Sequence, residues 1–308
     1  MRLGFDVGGT KTDAVAVAPS GEIVARRRRP TGWGPDEVVD TVCALAADLA
    51  AATGTDLADV SSVGVGMPGQ VAPGTARVAH AVNLGVDELD VGSVIGARLG
   101  VPVAAENDVK AAALGAYSLQ GGTGTIAYLN LGTGIAAGYV SDGVLWRGTG
   151  GSAGEVGHLS VDPNGPVCRC GQRGCVEAFA GGGAIARRWG RAGALPVLDV
   201  FDAADAGDPR ALGLRAGLAY GVAAAIRILV LTGDVHAVVL GGGITALGDR
   251  MLTLVVDQLE GSAAASPFLR SLHLTDRIRL LPPGSPAAAL GAALIGAAAH
   301  EQESLAHG

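Results

Sequence analysis

His158, Cys168, Cys170 and Cys175 lie close together in the middle of the sequence. The stretch around them, residues 154–177, is rich in glycine and proline, which keep it out of regular helix and strand. Three thiolates and an imidazole are typical of a tetrahedral structural Zn²⁺ site, whereas Mg²⁺ and Ca²⁺ prefer oxygen ligands. The alternative is a disulfide with a spare thiol, although three close cysteines pair badly and nothing indicates a secreted protein.

A second group of chemically useful residues lies near the start of the chain. Asp6 is followed by Gly8, Gly9, Thr10 and Lys11 at the turn between two predicted strands. Glycines at such a turn let backbone N–H groups approach a phosphate, while Thr10 adds a hydroxyl and Lys11 a positive charge. Asp6, at a strand end, could orient a hydrated Mg²⁺. The spacing is not that of a P-loop, and an ordinary glycine-rich hairpin is the alternative.

Two more glycine-rich turns follow later in the chain. They consist of Gly132, Thr133 and Gly134, and of Gly241, Gly242 and Gly243. The first of them repeats the turn at Gly8–Gly9, and two such hairpins could hold the two ends of a triphosphate. The second follows a strand and would let an adenine or ribose approach the backbone closely. Each run is weak evidence alone, and their occurrence together, in this order, favours a nucleotide site.

The segment Glu106-Asn107-Asp108 lies between a predicted buried strand and a helix. Phosphoryl transfer to an alcohol needs a base near the hydroxyl, and an aspartate can accept that proton. Asn107 can both donate to and accept from sugar hydroxyls. The alternative is a helix N-cap, a position that favours Asn and Asp in any case. The local sequence does not decide between the two interpretations.

Glu155, His158 and Glu177 complete the set of candidate ligand-binding residues. Carboxylates accept hydrogen bonds from neighbouring sugar hydroxyls. His158 has two ring nitrogens, so one can bind zinc while the other donates to a ligand. Four protein ligands leave zinc no open position for a catalytic water, and we therefore expect the metal to hold this loop in place.

The elements that must position these residues follow an α/β pattern in two successive halves. In the first half, the predicted strands cover residues 2–17 (two strands about the turn at Gly8–Gly9), 22–28, 60–66 and 101–105. One predicted helix begins at Pro35, a second covers 91–99, and a third follows Asp108 and ends at Tyr117. The segments FDVGGTKTDAVAV and LNLGTGIAAGYV read as two copies of one strand–turn–strand unit, which predicts a duplicated domain.

The second half begins after a glycine-rich boundary at residues 121–124. Its predicted strands cover 125–131, 135–140, 144–147, 236–240 and 278–281. Its predicted helices cover 176–188, 197–206, 209–231, 251–259 and 287–299. Strands interleaved with helices in two halves predict two domains with a cleft between them.

Composition narrows the class of protein. The 308 residues suffice for two domains, and the net charge of −7 argues against a nucleic-acid partner. The basic run at residues 26–29 could be a binding patch, but the solvated end of a strand is the favoured interpretation. The apolar stretch 216–231 contains Arg227 and is short for a membrane span, and the N-terminus lacks the pattern of a signal peptide. We therefore expect a cytoplasmic protein, with Cys43 packed as a small apolar residue.

Taken together, these residues resemble the ROK family of bacterial sugar kinases and regulators, most closely its actinobacterial glucokinase-like members. The resemblance covers nearly the whole chain, and the combination of END, GEVGH and the cysteine loop is its most specific part. The matching stretches are DVGGTK (6–11), MPG (67–69), END (106–108), LGTG (131–134), GEVGH (154–158), CRCGQRGCVE (168–177) and LGGG (240–243).

The resemblance implies an actin-like ATPase (ribonuclease H-like) α/β fold, with ATP, Mg²⁺ and a sugar bound in an interdomain cleft. It implies a small N-terminal domain of residues 1–112 plus 294–308, and a larger domain of residues 113–293 that carries the zinc loop. The final segment, 294–308, is expected to pack on the N-terminal domain. A homodimer or homotetramer is expected from the resemblance alone.

The resemblance also implies roles for individual residues. Asp108 is the expected general base, and the expected hexose contacts are Asn107, Asp108, Glu155, His158 and Glu177. The expected ligands of a structural zinc ion are His158, Cys168, Cys170 and Cys175. The expected reaction is ATP-dependent phosphorylation of a hexose at its primary hydroxyl, with glucose to glucose 6-phosphate as the first choice.

Several alternatives stay open at this point. Kinases for N-acetylhexosamines, fructose or a C7-cyclitol share this set of residues, and polyphosphate could replace ATP as the donor. A ROK protein that senses a sugar without phosphorylating it is a further possibility, although the intact Asp108 and the absence of a helix-turn-helix segment argue against it. A third alternative is that the protein is an interaction module built on the zinc loop, but this would give the glycine-rich turns and the segment Glu106-Asn107-Asp108 no function.

Two departures from the family pattern bear on the substrate. Lys110 stands where many relatives have Asn after END-V. The segment Asn83-Leu84-Gly85-Val86 stands where many have Leu-Pro-Gly-Trp. Because that segment borders the sugar site in relatives, the identity of the sugar is the part of the prediction most affected.

Overall fold

The computed structural model describes residues 1–72 and 74–307, with side chains described up to residue 301. The chain divides into two compact units. The first unit consists of Met1–Thr123, Val140–Ala153 and Pro286–Gly308, and the second of Gly124–Tyr139 and Gly154–Ser285. The domain boundaries predicted above, 1–112 with 294–308 and 113–293, stay a prediction.

The strands of the described chain form three sheets. In chain order the strands are β1 (Arg2–Val7), β2 (Lys11–Val17), β3 (Ile23–Pro30), β4 (Ser62–Met67), β5 (Gln70–Val71), β6 (Arg77–Ala81), β7 (Val86–Asp90), β8 (Val103–Asn107), β9 (Thr125–Leu131), β10 (Ile135–Ser141), β11 (Val144–Trp146), β12 (Ala237–Gly241) and β13 (Ile278–Leu280). The sheet orders are β3-β2-β1-β4-β8, β5-β6-β7 and β11-β10-β9-β12-β13.

Helices alternate with these strands, and the mixture of sheets and helices gives the predicted α/β class. In chain order the helices are α1 (Pro35–Thr53), α2 (Val91–Leu99), α3 (Asp108–Leu119), α4 (Val176–Ala180), α5 (Gly182–Trp189), α6 (Pro196–Asp205), α7 (Pro209–Gly233), α8 (Asp249–Ala264), α9 (Pro267–Ser271) and α10 (Ala287–His307). Short 3₁₀ turns lie at Leu57–Asp59, Val82–Leu84, Val156–His158, Gly243–Leu247 and Thr275–Arg277.

The direction of the strands in the first sheet decides where its polar side chains gather. β1 runs parallel to β4, and β4 runs parallel to β8, whereas β2 is antiparallel to both of its neighbours. The carboxyl ends of β1, β4 and β8 therefore meet at one edge of the sheet. Asp6, Met67 and Asn107 lie at this edge, and the turn between β1 and β2 projects from it.

The first core forms on both faces of this sheet. On one face, α1 begins with Pro35 in its first turn, ends at Gly54 in the left-handed region, and buries a helical stripe that includes Val42 and Leu49. On the other face, α10 approaches so closely that a Cβ built at Gly64 of β4 would lie 1.7 Å from the carbonyl oxygen of Ala292. The predicted packing of residues 294–308 concerns this helix, but side chains 302–308 lie outside the described residues.

α7 lies in the core of the second unit. In the part of the chain that the structure describes, it is the one helix whose length and composition would allow it to cross a membrane, with a mean hydropathy of 1.7 over the relevant window. The protein buries 61% of that window, and Leu218, Val222 and Ile226 are part of the second core. Burial of this kind is expected of a core helix, so composition alone is weak evidence for a membrane span.

The structure differs from the sequence-based prediction in several places. The predicted helix 176–188 is interrupted at Gly181, which is extended (φ −67°, ψ 131°), so α4 and α5 are separate. The predicted strand 101–105 is shifted to Val103–Asn107, so Glu106 and Asn107 end a strand. The small sheet β5-β6-β7 was not predicted, because its strands are short and irregularly buried.

Candidate active site

One row of residues crosses the first sheet on a single face, close to the carboxyl ends of the parallel strands. Arg28 lies opposite Asp13, Asp13 lies opposite Asp6, Asp6 lies beside Gly66, and Gly66 lies beside Glu106. Cross-strand partners project from the same face of a sheet, so three carboxylates share this row.

An arginine closes each end of the row. The Nε atom of Arg28 is 2.6 Å from Oδ1 of Asp13, and the Nε atom of Arg147 is 2.6 Å from Oε2 of Glu106. In the part of the chain that the structure describes, the carboxylate of Asp6 forms no such pair. Asp6 is therefore the carboxylate of the row that is left for a ligand.

The electrostatics of Asp6 point the same way. Burial, helped by the negative charges of Asp108 and Asp13, raises the pKa of Asp6 to about 7 against the opposing effect of Lys11 and Arg28. A carboxylate that is costly to ionise in the ligand-free protein is stabilised in its ionised form by a bound cation. The residues therefore fit a divalent cation at Asp6, as its place at the strand end suggested.

Asn107 and Asp108 join β8 to α3. Oδ1 of Asn107 accepts hydrogen bonds from the backbone N–H groups of Val109 (3.1 Å) and Lys110 (3.2 Å), and its Nδ2 donates to the carbonyl of Gly69 (3.2 Å). Asn107 is thus the N-cap of α3, as one of the two interpretations of this segment predicted. Asp108 occupies the first helical position, where the helix dipole favours a negative charge.

The basic run on β3 is not a free cationic patch. Arg28 is paired with Asp13, and the Nε and Nη2 atoms of Arg29 donate to the two carboxylate oxygens of Asp48 at 2.7 and 2.9 Å. Arg27 donates to the carbonyl of Arg26. The interpretation of this run as the solvated end of a strand is the one that these contacts favour.

The first glycine-rich turn is held by its own backbone. Gly8 N donates to the carbonyl of Lys11 at 3.0 Å, which closes the turn between β1 and β2. The carbonyl of Thr10 accepts from Thr31 N at 3.1 Å, so the turn is tied to the segment that follows β3. The side chain of Lys11 is exposed, where it can meet a negatively charged ligand.

In the second unit, the turn at residues 132–134 is supported by the segment around Gly181. Gly182 N donates to the carbonyl of Gly132, and Gly183 N donates to that of Thr133, both at 2.9 Å. Oε2 of Glu177 accepts from Ile135 N at 3.0 Å. Glu177, predicted as a hexose contact, thus also fixes the glycine-rich turn, a role that its sequence position did not suggest.

The third glycine-rich run ends β12, which lies beside β9. Gly241 is the last residue of β12 and Gly243 begins a 3₁₀ turn. Because β9 and β12 are parallel, Gly241 and Asn130 are paired at the edge from which the 132–134 turn projects. The second unit therefore brings two of the three predicted glycine runs to one edge of its sheet.

The cysteine loop has the geometry of a metal centre. One ligand atom from each of His158, Cys168, Cys170 and Cys175 lies within 4.8 Å of the other three. The sulfurs of Cys170 and Cys175 are 3.7 Å apart, and Cys168 Sγ is 3.8 Å from Nδ1 of His158. Tetrahedral zinc with bonds of about 2.3 Å requires sulfurs about 3.8 Å apart, so the four residues fit Zn²⁺. A disulfide requires about 2.05 Å, and all four cysteines are free.

The thiols of this cluster differ in acidity. Hydrogen bonds from the backbone and side chain of Gln172 lower the pKa of Cys170 to about 6. Burial and hydrogen bonds with the neighbouring cysteines raise the pKa of Cys175 to about 12. Of these two thiols, Cys170 is therefore the one that more readily provides a thiolate ligand.

The two remaining predicted residues, Glu155 and His158, lie at a short 3₁₀ turn. Glu155 immediately precedes the turn Val156–His158 and is exposed, while His158 is half-buried. Nδ1 of His158 is the ring nitrogen near Cys168, which leaves Nε2 for a ligand. A metal bound through Nδ1 would fix the direction of the other nitrogen.

Each unit thus carries its own part of the predicted set. The first unit brings together Asp6, the 8–11 turn, Asn107 and Asp108. The second brings together the 132–134 turn, Glu177, the 241–243 run and the cysteine loop. Sequence reasoning missed Asp13 and Arg147, and it noted Lys110 only as a departure from the family pattern. Of the two missed residues, Asp13 left a detectable signal, as a charged residue in an apolar strand.

Comparison with known proteins decides the family. A sequence model described as "ROK family" matches residues 2–298. The chain belongs to the ROK family. ROK proteins of known structure share the actin-like ATPase fold, so the predicted fold class is confirmed.

Sugar kinases are among the ROK proteins that are similar to this chain. A glucokinase of Halalkalibacterium halodurans is 32% identical over 282 residues, which cover 85% of this chain and 86% of that protein. An N-acetylmannosamine kinase of Escherichia coli O157:H7 is 34% identical over 268 residues, covering 85% and 89%. A ROK glucokinase of Streptomyces griseus, solved with glucose and AMPPNP, superposes with a TM-score of 0.75 at 30% identity, covering 96% of this chain and 99% of that one.

Proposed function

We propose that this ROK protein transfers the γ-phosphoryl group of ATP to the primary hydroxyl of a hexose, and that glucose is its preferred sugar substrate. One observation carries the proposal. Asp108 lies at the first position of α3, close enough to Asp6 for its charge to raise the pKa of that residue. A base for the sugar hydroxyl and a carboxylate for a cation therefore occur together at one edge of the first sheet.

Asp108 accepts the proton of the primary hydroxyl as the hydroxyl oxygen forms its bond to the γ-phosphorus and the bond to the β-phosphate oxygen breaks. Sugar 6-phosphate and ADP are the products. Asn107 positions the sugar next to Asp108, and Glu155, His158 and Glu177 contact its other hydroxyls. The backbone N–H groups of the turns at 8–11 and 132–134 bind the phosphates, and the 241–243 run binds the nucleoside.

Two metal ions accompany this proposal. Mg²⁺, when bound near Asp6, supplies positive charge to the phosphates of ATP. Zn²⁺, when bound by His158, Cys168, Cys170 and Cys175, keeps the imidazole of His158 in a fixed orientation and has no open position for a reactant. Neither metal ion accepts a proton in this proposal, and the proton of the primary hydroxyl passes to Asp108.

We further propose that the protein acts in the cytoplasm as a homodimer or homotetramer, on small molecules alone. The excess of acidic over basic residues, 29 against 22, supports the absence of a nucleic-acid partner. The burial of α7 in the second core supports the proposal that this helix does not span a membrane.

N-acetylmannosamine is the second candidate substrate, because an N-acetylmannosamine kinase is among the similar proteins at 34% identity. The test is an ADP-release assay of purified protein with ATP and each of glucose, N-acetylmannosamine, N-acetylglucosamine, fructose and a C7-cyclitol, repeated with polyphosphate as donor. We expect glucose to give the highest kcat/KM with ATP. A higher kcat/KM with another sugar would identify that sugar, not glucose, as the preferred substrate. Binding of a sugar without phosphoryl transfer to any of the sugars tested would identify the protein as a sugar sensor.

A further inference from the structure

Trp33 is an exposed aromatic residue in the loop between β3 and α1. Its exposed fraction is 68%, against 57% for Trp146 and 2% for Trp189, the other two tryptophans of the chain. A single exposed aromatic residue needs no special explanation. What distinguishes Trp33 is how firmly its loop is held and what lies beside it.

The loop is attached to its surroundings on both sides of Trp33. Thr31 N donates to the carbonyl of Thr10 at 3.1 Å, and Gly34 N donates to the carbonyl of Leu84 at 2.8 Å. The N–H of Trp33 itself donates to Oε2 of Glu37 at 3.1 Å. The exposed indole is therefore presented by a fixed backbone, which reduces the entropy lost when a ligand contacts it.

The indole lies on the backbone of Gly85. A Cβ built at Gly85 would come within 2.6 Å of both Nε1 and Cε2 of Trp33, and Gly85 has a φ of +67°. Gly85 ends the 3₁₀ turn Val82–Leu84, whose first residue, Val82, has an exposed fraction of 76%. Trp33 and Val82 thus place two exposed apolar side chains at the same short turn.

This turn lies against the groups proposed to carry out the reaction. A Cβ built at Gly9 would lie 3.1 Å from the carbonyl oxygen of Asn83, so the turn touches the first phosphate-binding turn. A Cβ built at Gly69 would lie 3.2 Å from Ala81 N, and the carbonyl of Gly69 accepts from Asn107. All of these residues belong to the first unit, at the edge that carries Asp6 and Asp108.

We propose that Trp33 is a specificity-determining residue that contacts the apolar C–H groups of the sugar substrate. The inference rests on the proposed function, since it concerns the same sugar. A hexose has hydroxyl groups that carboxylates and amides bind, and C–H groups that they do not satisfy. An indole covers such C–H groups and can donate one hydrogen bond through Nε1. On an N-acetylhexosamine the acetyl methyl is the largest such group, and on glucose it is the ring face.

The presence of only three tryptophans allows a direct test. Glucose and N-acetylmannosamine are titrated separately into wild-type protein, Trp33→Phe and Trp146→Phe without nucleotide, with intrinsic fluorescence and calorimetry as readouts. We expect at least one sugar to change the emission of the wild type and of Trp146→Phe, but not that of Trp33→Phe. Trp189 is buried in the second core and serves as a constant background.

Steady-state kinetics complete the test. Trp33→Ala should raise the KM of the accepted sugar about tenfold, while kcat and the KM of ATP change less than about twofold. Trp33→Phe, which keeps an aromatic ring, should have a sugar KM close to that of the wild type. A larger effect on N-acetylmannosamine than on glucose would assign Trp33 to the acetyl methyl, and equal effects would assign it to the ring.

The outcomes separate this inference from the proposed function. An active wild type whose sugar KM is unchanged in Trp33→Ala overturns the role of Trp33 and leaves the kinase intact. A rise in the KM of ATP alone also overturns it, because the indole would then contact the nucleotide. A wild type that binds sugar with a Trp33-dependent change in emission but transfers no phosphate overturns the kinase and supports Trp33. Absence of sugar binding overturns both.

Discussion

The side-chain amine of Lys110 donates a hydrogen bond to the backbone carbonyl of Gly151. Lys110 lies in the first turn of α3, two residues after Asp108, and is only 4% exposed. Gly151 lies in the loop that follows β11 and leads to Glu155. One buried cation thus joins the helix of the proposed base to the loop that precedes a proposed sugar contact.

Replacing this lysine tests the connection. Lys110→Met removes a charged donor and leaves the Gly151 carbonyl without it, so we expect the free energy of unfolding to fall by about 1–3 kcal/mol. Amide hydrogen exchange in residues 148–153 should accelerate. Lys11, the chain's other lysine, is exposed, and Lys11→Met should change stability by less than about 0.5 kcal/mol. Equal stability of Lys110→Met and wild type in urea titrations would show that the bond contributes nothing.

The raised pKa of Asp6 predicts a pH-dependent stability. The unfolded chain ionises Asp6 near 3.8 and the folded protein near 7, so the folded state holds the proton more tightly. Stability from this residue is complete below pH 4 and is lost as the pH rises towards 7. Asp6→Asn removes this loss, and above pH 7 it should stabilise the ligand-free protein by on the order of 2–4 kcal/mol.

Thermal unfolding of Asp6→Asn and wild type from pH 4 to pH 8 measures this effect. The two melting curves should diverge as the pH rises, and added Mg²⁺ with ATP should stabilise the wild type alone. A melting-temperature difference that is constant with pH would mean that Asp6 does not titrate in this range.

Asp108→Asn tests the proposed base. The amide keeps the shape of the side chain but cannot accept the proton, so kcat should fall by about 10²–10⁴-fold while the dissociation constant of the sugar changes little. Asp87→Asn, at an exposed position on β7, serves as the control and should retain full turnover. Near-normal kcat in Asp108→Asn would assign the base to another residue.

The cysteine loop predicts one bound zinc per chain. Cys170→Ser or a strong chelator should lower both the melting temperature and the affinity for the sugar, because His158 loses its fixed orientation. Cys43 lies outside the loop, on α1, so Cys43→Ser should retain the metal. Metal analysis and calorimetry give the two readouts. Lower stability with unchanged sugar affinity would confine the metal to a purely structural role away from the sugar.

Local sequence was sufficient to predict the parts of the site that depend on local rules. The turn at Gly8–Gly9, the cap at Asn107 and the helix that starts at Pro35 each follow from residue type and spacing. The clustering of His158 with the three cysteines was predictable because these residues are close in sequence. The short distances among His158, Cys168, Cys170 and Cys175 add geometry that the spacing alone could not give.

Features that depend on strand register were not predictable. The row from Arg28 to Glu106 exists because four strand pairings bring distant residues together, and a shift of one residue would break it. The contacts of Lys110 with Gly151 and of Trp33 with Gly85 likewise join segments that no local pattern relates. The break between α4 and α5, by contrast, has a local cause, because Gly181, Gly182 and Gly183 are three consecutive glycines that sequence reasoning did not use.

The close packing of α10 on the first sheet has a consequence for how the chain is made. Residues 1–123 leave the ribosome early, but the sheet face that contains Gly64 stays uncovered until residues 287–301 have been translated. Most of the second unit is translated in between and can fold first. We therefore expect the unit that carries Asp6 and Asp108 to be synthesised first and to finish folding last. Until α10 has been translated, we expect chaperones that act on nascent chains to bind the uncovered sheet face.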